Sequence, residues 1–99
     1  MTKIYHVYIM ASDPYKTLYI GVTSDLMKRV WQHKNKLVKS FTTKYGINKL
    51  VYFEEFSEPE QAIIREKRLK TWKREWKIEL INGFNPQWKD LYLEWFAIE

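Results

Sequence analysis

The 99-residue chain contains no cysteine, two histidines, three glycines and three prolines. Without cysteine there is no disulfide, iron–sulfur cluster, thiolate zinc site or thiol nucleophile. Two histidines and no second ligand motif disfavour a multi-histidine metal site. No apolar run approaches the roughly 20 residues that span a bilayer. The first residues, Met1-Thr2-Lys3-Ile4, lack the small-residue cleavage pattern of a signal peptide. The expectation is one cytoplasmic domain over residues 1–99, with no membrane partner. Five Trp, seven Tyr and five Phe argue against disorder.

Charge is uneven along the chain. Lys and Arg number 17 against 12 Asp and Glu, a formal +5. Residues 26–53 lack acids altogether and carry seven bases: Lys28, Arg29, Lys34, Lys36, Lys39, Lys44 and Lys49. Residues 54–77 nearly balance, and residues 78–99 sum to −3. A basic stretch suits a polyanion, because neutralising phosphates releases condensed counterions. Charge alone equally fits a solvated lysine face.

Residues 3–10 are β-branched and aromatic, and residues 17–22 alternate polar with apolar. Ser12-Asp13-Pro14-Tyr15 between them is turn chemistry, so a β-hairpin is expected. A four-residue loop pairs Tyr8 directly with Tyr19, both on the less apolar face, with Tyr5, Val7 and Ile9 on the other. Ser24 is the expected N-cap of a helix whose stripe is Leu26, Met27, Val30, Trp31, Leu37 and Val38. Arg29 and His33, four apart, share one edge of that stripe. A loop over residues 41–48 precedes a third strand over residues 50–56. Ser57-Glu58-Pro59-Glu60 has the spacing of a capping box. In the helix it opens, Ala62, Ile63 and Leu69 point inward. Glu66 shares their face, where a carboxylate is expensive to bury alone. A helix over residues 71–81 stops at Asn82-Gly83. Asn85-Pro86 then starts a last helix with Trp88, Leu91, Tyr92, Trp95 and Phe96 on one side. The fold class is α+β, in the order β-β-α-β-α followed by C-terminal helices.

Two tyrosines on one hairpin face, an arginine at a helix edge and one inward glutamate resemble the GIY-YIG nuclease superfamily. Tyr19-Ile20-Gly21 is its second signature intact, and His6-Val7-Tyr8 is its first with His for Gly and Val for Ile. The run Asp25-Leu26-Met27-Lys28-Arg29 and the later Glu66 follow in family order. The likeness covers residues 4–70, leaving 71–99 as a C-terminal helical extension. It is greatest to small stand-alone bacterial members related to the N-terminal nuclease domain of the excision-repair incision protein.

The resemblance implies a small three-stranded antiparallel sheet flanked by helices, and an endonuclease that hydrolyses DNA phosphodiesters with one divalent metal, Mg²⁺ or Mn²⁺. Structure-selective work in DNA repair or processing is the implied setting, with RNA left open as a substrate. Glu66 is then the metal ligand, and Arg29 stabilises charge on the phosphate. Tyr8 helps activate water, Tyr19 positions water or phosphate, and His33 is a helper. Gly21 leaves room for the phosphate to approach. Lys28, Lys34, Lys36, Lys39 and Lys44 supply the nucleic-acid surface, and Asn85 is a weaker match to a late asparagine of some members. Tyrosine, with an ordinary pKa of about 10, is a poor base at neutral pH unless its surroundings depress that value. The alternative is a nucleic-acid-binding module that keeps the nuclease fold without turnover. Each residue also has an ordinary explanation: aromatic pairing for the tyrosines, a solvated charge for Arg29, an ion pair for Glu66. The C-terminal aromatic helix reads as core, or as an interface for a second copy or a protein partner.

Overall fold

The hairpin forms where the β-branched and aromatic residues lie, as β1 (Tyr5–Ala11) and β2 (Leu18–Thr23). A third strand, β3 (Lys49–Phe56), pairs antiparallel with the other edge of β1. The sheet order is β2-β1-β3, so β1 is the central strand. Among the described residues the helices are α1 (Leu26–Lys34), α2 (Pro59–Thr71), α3 (Arg74–Phe84) and α4 (Leu91–Trp95). The computed structural model describes residues 3–12, 17–35 and 46–95. The three-stranded α+β architecture expected from the sequence is the one observed. Among the described residues no helix is long and apolar enough to cross a membrane.

The central strand is covered on both sides. Val7, Ile9 and Ala11 pack with Ile20, Ala62, Leu69 and Ile81 in one apolar cluster, while Tyr8 and Met10 pack with Leu26, Val30, Leu50 and Leu91 in another. The face carrying Tyr8 is therefore a second core beneath α1, and Tyr8 itself is only 1% exposed. In α1 the buried residues are Leu26, Val30 and His33, whereas Met27 and Trp31 are exposed. Ile63 in α2 is exposed too. Each of these three was expected inside. The inward stripes are narrower than hydrophobicity alone implies, because a nine-residue helix on a three-stranded sheet covers only one row. Leu37 and Val38 lie outside the described residues.

The register differs from the expected one by two residues. Tyr8 stands opposite Gly21, and Tyr19 stands opposite Met10. The loop is longer than four residues, closed by a backbone bond from Ser12 N–H to the Thr17 carbonyl at 3.2 Å. A shift of two preserves side-chain direction, so both phenols remain on one face. Helix starts also moved. Asp25, not Ser24, caps α1 by accepting from the Lys28 amide at 3.1 Å. Glu58 precedes α2 with no side-chain cap, and Pro59, which lacks an amide proton, opens the helix.

The largest correction is at the C-terminus. The third helix passes through Asn82-Gly83 to Phe84, and the last begins only at Leu91. Asn85 does not start a helix. Its side-chain amide donates to the Val51 carbonyl (3.2 Å) and the Lys89 carbonyl (2.8 Å), while Oδ1 accepts from the Lys89 amide (3.0 Å). Asp90 next accepts from the Leu50 amide at 3.2 Å and pairs with Lys34 of α1. Two side chains of the tail thus cap backbone groups at the bulge in the outer strand β3. Between them Trp88 adopts a φ of 54°, held by burial and by its Nε1–H bond to Asn82. Asn85→Ala is expected to lose about 1–3 kcal/mol, the cost of leaving buried backbone groups unpaired. Urea denaturation with an unchanged m-value checks it.

Candidate active site

The hairpin, α1 and α2 bring five of the sequence-selected residues to one place. Tyr8 sits beneath α1 with its hydroxyl 3.1 Å from His33 Nε2. The Tyr19 ring lies 6.2 Å from Tyr8 and 5.2 Å from His33, centroid to centroid, so the three rings form a cluster. Arg29, one turn before His33 on α1, acts electrostatically on both Tyr8 and His33. Glu66 comes from α2, which touches all three strands, and its charge is also felt at Tyr8. Tyr8 is the hub.

Burial pushes the Tyr8 phenol well above its ordinary value; Tyr19 and the Glu66 carboxylate push the same way, and the Arg29 guanidinium opposes them. At neutral pH Tyr8 keeps its proton. Burial, and then the charge of Arg29, hold the His33 imidazole below its ordinary value. His33 is therefore neutral at pH 7 and able to accept a hydrogen bond. It is only 2% exposed, deeper than the stripe edge where periodicity put it. The environment raises the value of the phenol, opposite to what a tyrosine base acting alone requires.

Gly21 has a use inside the fold that the sequence did not show. A Cβ built there would lie 2.6 Å from both Cζ and Oη of Tyr8, and 2.9 Å from Cε1. The absent side chain makes room for the Tyr8 ring. The Gly-to-His departure at position 6 is absorbed without a break in β1: His6 pairs with Thr23 and Glu55 and packs edge-on against Phe53. Its Nδ1 is buried without a partner.

Two open clefts flank the ring cluster. Arg29 lines one of about 310 Å³ with Thr23, Ser24, Asp25, Lys28 and Gln32. Tyr19 lines the other, about 240 Å³, with Leu18, Ile20, Lys70 and Lys77. Of the expected basic surface, Lys28 is exposed beside Arg29. Lys34 is not free for a ligand: it pairs with Asp90 and lies 5.3 Å over the Tyr92 ring. Lys36, Lys39 and Lys44 lie outside the described residues. Asn85 belongs to the strand edge, as described above. Sequence reasoning missed Lys70, whose Nζ lies 2.6 Å from Glu66 Oε2. The i, i+4 spacing of the two was the available signal.

Among the described residues no three His, Asp or Glu side chains gather into a metal cage. Glu66 is nonetheless a fitting anchor. Its side chain is 12% exposed, and the Lys70 ammonium on it stands in for a cation. Mg²⁺ commonly uses one or two carboxylates and keeps several waters.

The chain that carries this arrangement, a phenol and imidazole between an arginine and an inward carboxylate, matches a known family. The model of the GIY-YIG catalytic domain matches residues 4–82, and the chain belongs to that family. Its fold is accordingly of nuclease type. Among curated proteins it is similar to a UPF0213 protein of Clostridium perfringens, 38% identical over 78 residues, covering 79% of this chain and 83% of that one. A UPF0213 protein of Bacillus pumilus is 31% identical over 99 residues, covering all of this chain and 89% of that one. No solved structure matches significantly.

The Gly21 contact makes a sharp test. Gly21→Ala is expected to displace the Tyr8 ring and cost about 1–3 kcal/mol, as overpacking does. Denaturation together with the near-ultraviolet circular dichroism of the tyrosines reads both effects.

Proposed function

We propose that this protein is an endonuclease that hydrolyses DNA phosphodiester bonds with Mg²⁺ or Mn²⁺ held at Glu66. The observation that carries the reading is the convergence of Tyr19, Arg29, His33 and Glu66 on the buried hydroxyl of Tyr8. The endonuclease family to which the chain belongs supports it.

Each residue has work that its surroundings suit. Arg29 and Lys28 line the polar cleft, where a guanidinium can bond two phosphate oxygens at once. Tyr19 positions the phosphate or water beside the second cleft. Tyr8 cannot act as a base alone, because burial holds its proton. It can relay one. As the phenolic oxygen takes a proton from the attacking water, its own proton passes to the neutral His33 Nε2. This requires the imidazole tautomer protonated at Nδ1. Bound at Glu66, the divalent ion would acidify water and neutralise developing oxyanion charge. The DNA substrate, its structure preference and a role in repair or processing belong to the same proposal.

Purified protein is expected to nick or cut DNA in Mg²⁺ or Mn²⁺, tested over duplex, single-stranded, flap and junction substrates. Glu66→Gln and Arg29→Ala should each lower cutting at least about 100-fold, the scale of losing an electrostatic contact to the transition state. Circular dichroism should show both variants folded. Salt-sensitive binding with no product from the wild type would instead identify the non-catalytic module. The His33 relay adds a pH signature. Its lowered value places the fall in activity on acidification below the range of an ordinary imidazole. His33→Gln should remove that acid limb along with most of the rate.

A further inference from the structure

Glu66 already has a cation on it. Lys70, one helical turn later, places Nζ 2.6 Å from Oε2. Glutamate preceding lysine at this spacing is the favourable orientation on a helix. The halves of the pair are unequal: the carboxylate is 12% exposed and the lysine 53%. The anion is held in the interior margin, whereas the ammonium stands at the surface and is free to leave. A bare carboxylate in that margin is costly, so the ammonium leaves readily only when another cation takes its place.

Lys70 also lines the cleft that holds Tyr19 and Lys77, and none of the described residues lining it is acidic. It therefore reaches two places for negative charge: Glu66 on one side, and an anion in the cleft on the other. A phosphate group matches the second place, with two ammonium groups and a phenol to receive it.

We propose that Lys70 is the exchangeable counter-cation of this site. It neutralises Glu66 in the free protein, yields the carboxylate to a divalent cation, and carries its charge to a substrate phosphate in the Tyr19–Lys77 cleft. This rests on the reading that Glu66 holds the metal. The exchange couples the two ligands, since a phosphate that draws Lys70 away clears Glu66 for the ion, and the ion frees Lys70 for the phosphate. Such coupling is reciprocal by linkage.

The first readout is Mn²⁺ affinity of the nucleic-acid-free protein, followed by the electron paramagnetic resonance of free Mn²⁺. Lys70→Gln should bind Mn²⁺ about two- to fivefold tighter than wild type, the scale of a lost weak ion pair. Lys67→Gln, an equal charge change at an exposed neighbouring position, should not. The second is the salt dependence of binding to a short DNA duplex. In Ca²⁺, the log–log slope of Lys70→Gln should be shallower than wild type by about 0.9, one phosphate contact. Without divalent ions the two slopes should agree.

Equal Mn²⁺ affinity for wild type and Lys70→Gln, with binding abolished by Glu66→Gln, overturns the exchange and leaves the metal assignment standing. An equal gain in Lys67→Gln also overturns it, because net charge then explains the effect. Slopes that agree in Ca²⁺ overturn the phosphate half. Mn²⁺ binding that survives Glu66→Gln overturns the metal assignment and the exchange together.

Discussion

The contact of the Tyr8 ring with the bare backbone of Gly21 is the constraint around which the site is organised. β1 is the middle strand and is covered by helices on both faces, so a phenol on it is almost wholly buried. The ring fits only because its cross-strand partner has no side chain. Its hydroxyl must find a partner inside, and His33 of α1 supplies one. Tyr8 thereby ties hairpin to helix and fixes the imidazole. The burial that holds the ring also keeps both groups uncharged at neutral pH.

That neutrality divides the labour of the site. The fixed charges, Arg29 and Glu66, stand around an uncharged pair instead of being part of it. A guanidinium near the phenol keeps the imidazole from gaining a proton early, and a carboxylate near the phenol keeps the phenol from losing one. Such an uncharged pair is what the proposed relay needs. Lys70 balances Glu66.

Much of this was legible in the sequence, for identifiable reasons. Strand alternation placed Tyr8 and Tyr19 on one face, and helical spacing placed Glu66 with Ala62 and Leu69. Both follow from local periodicity, which survives errors of register by two. The register itself was not legible, because it depends on how the loop between Ser12 and Thr17 closes. The burial of His33 followed from α1 lying flat over β1, a tertiary fact. The tail was misread for a more general reason. Asn85-Pro86 has the chemistry of a helix start, yet the open edge of β3 competes for the same asparagine and wins, because buried strand carbonyls need a donor. Lys34 is a similar case: a basic residue in an acid-free stretch, tied by the fold to Asp90 from a distant segment. The net +5 is therefore a poor count of the charge offered to a ligand.

The central claim is that Glu66, Arg29 and the Tyr8–His33 pair form one metal-assisted phosphodiester site. A crystal structure soaked with Mn²⁺ and collected for anomalous scattering tests it most directly. The account predicts a peak bonded to Glu66, with the Tyr8 hydroxyl, Tyr19 and Arg29 facing it and Lys70 withdrawn. A saturating soak that leaves Glu66 paired with Lys70, or that puts Mn²⁺ elsewhere, would contradict it.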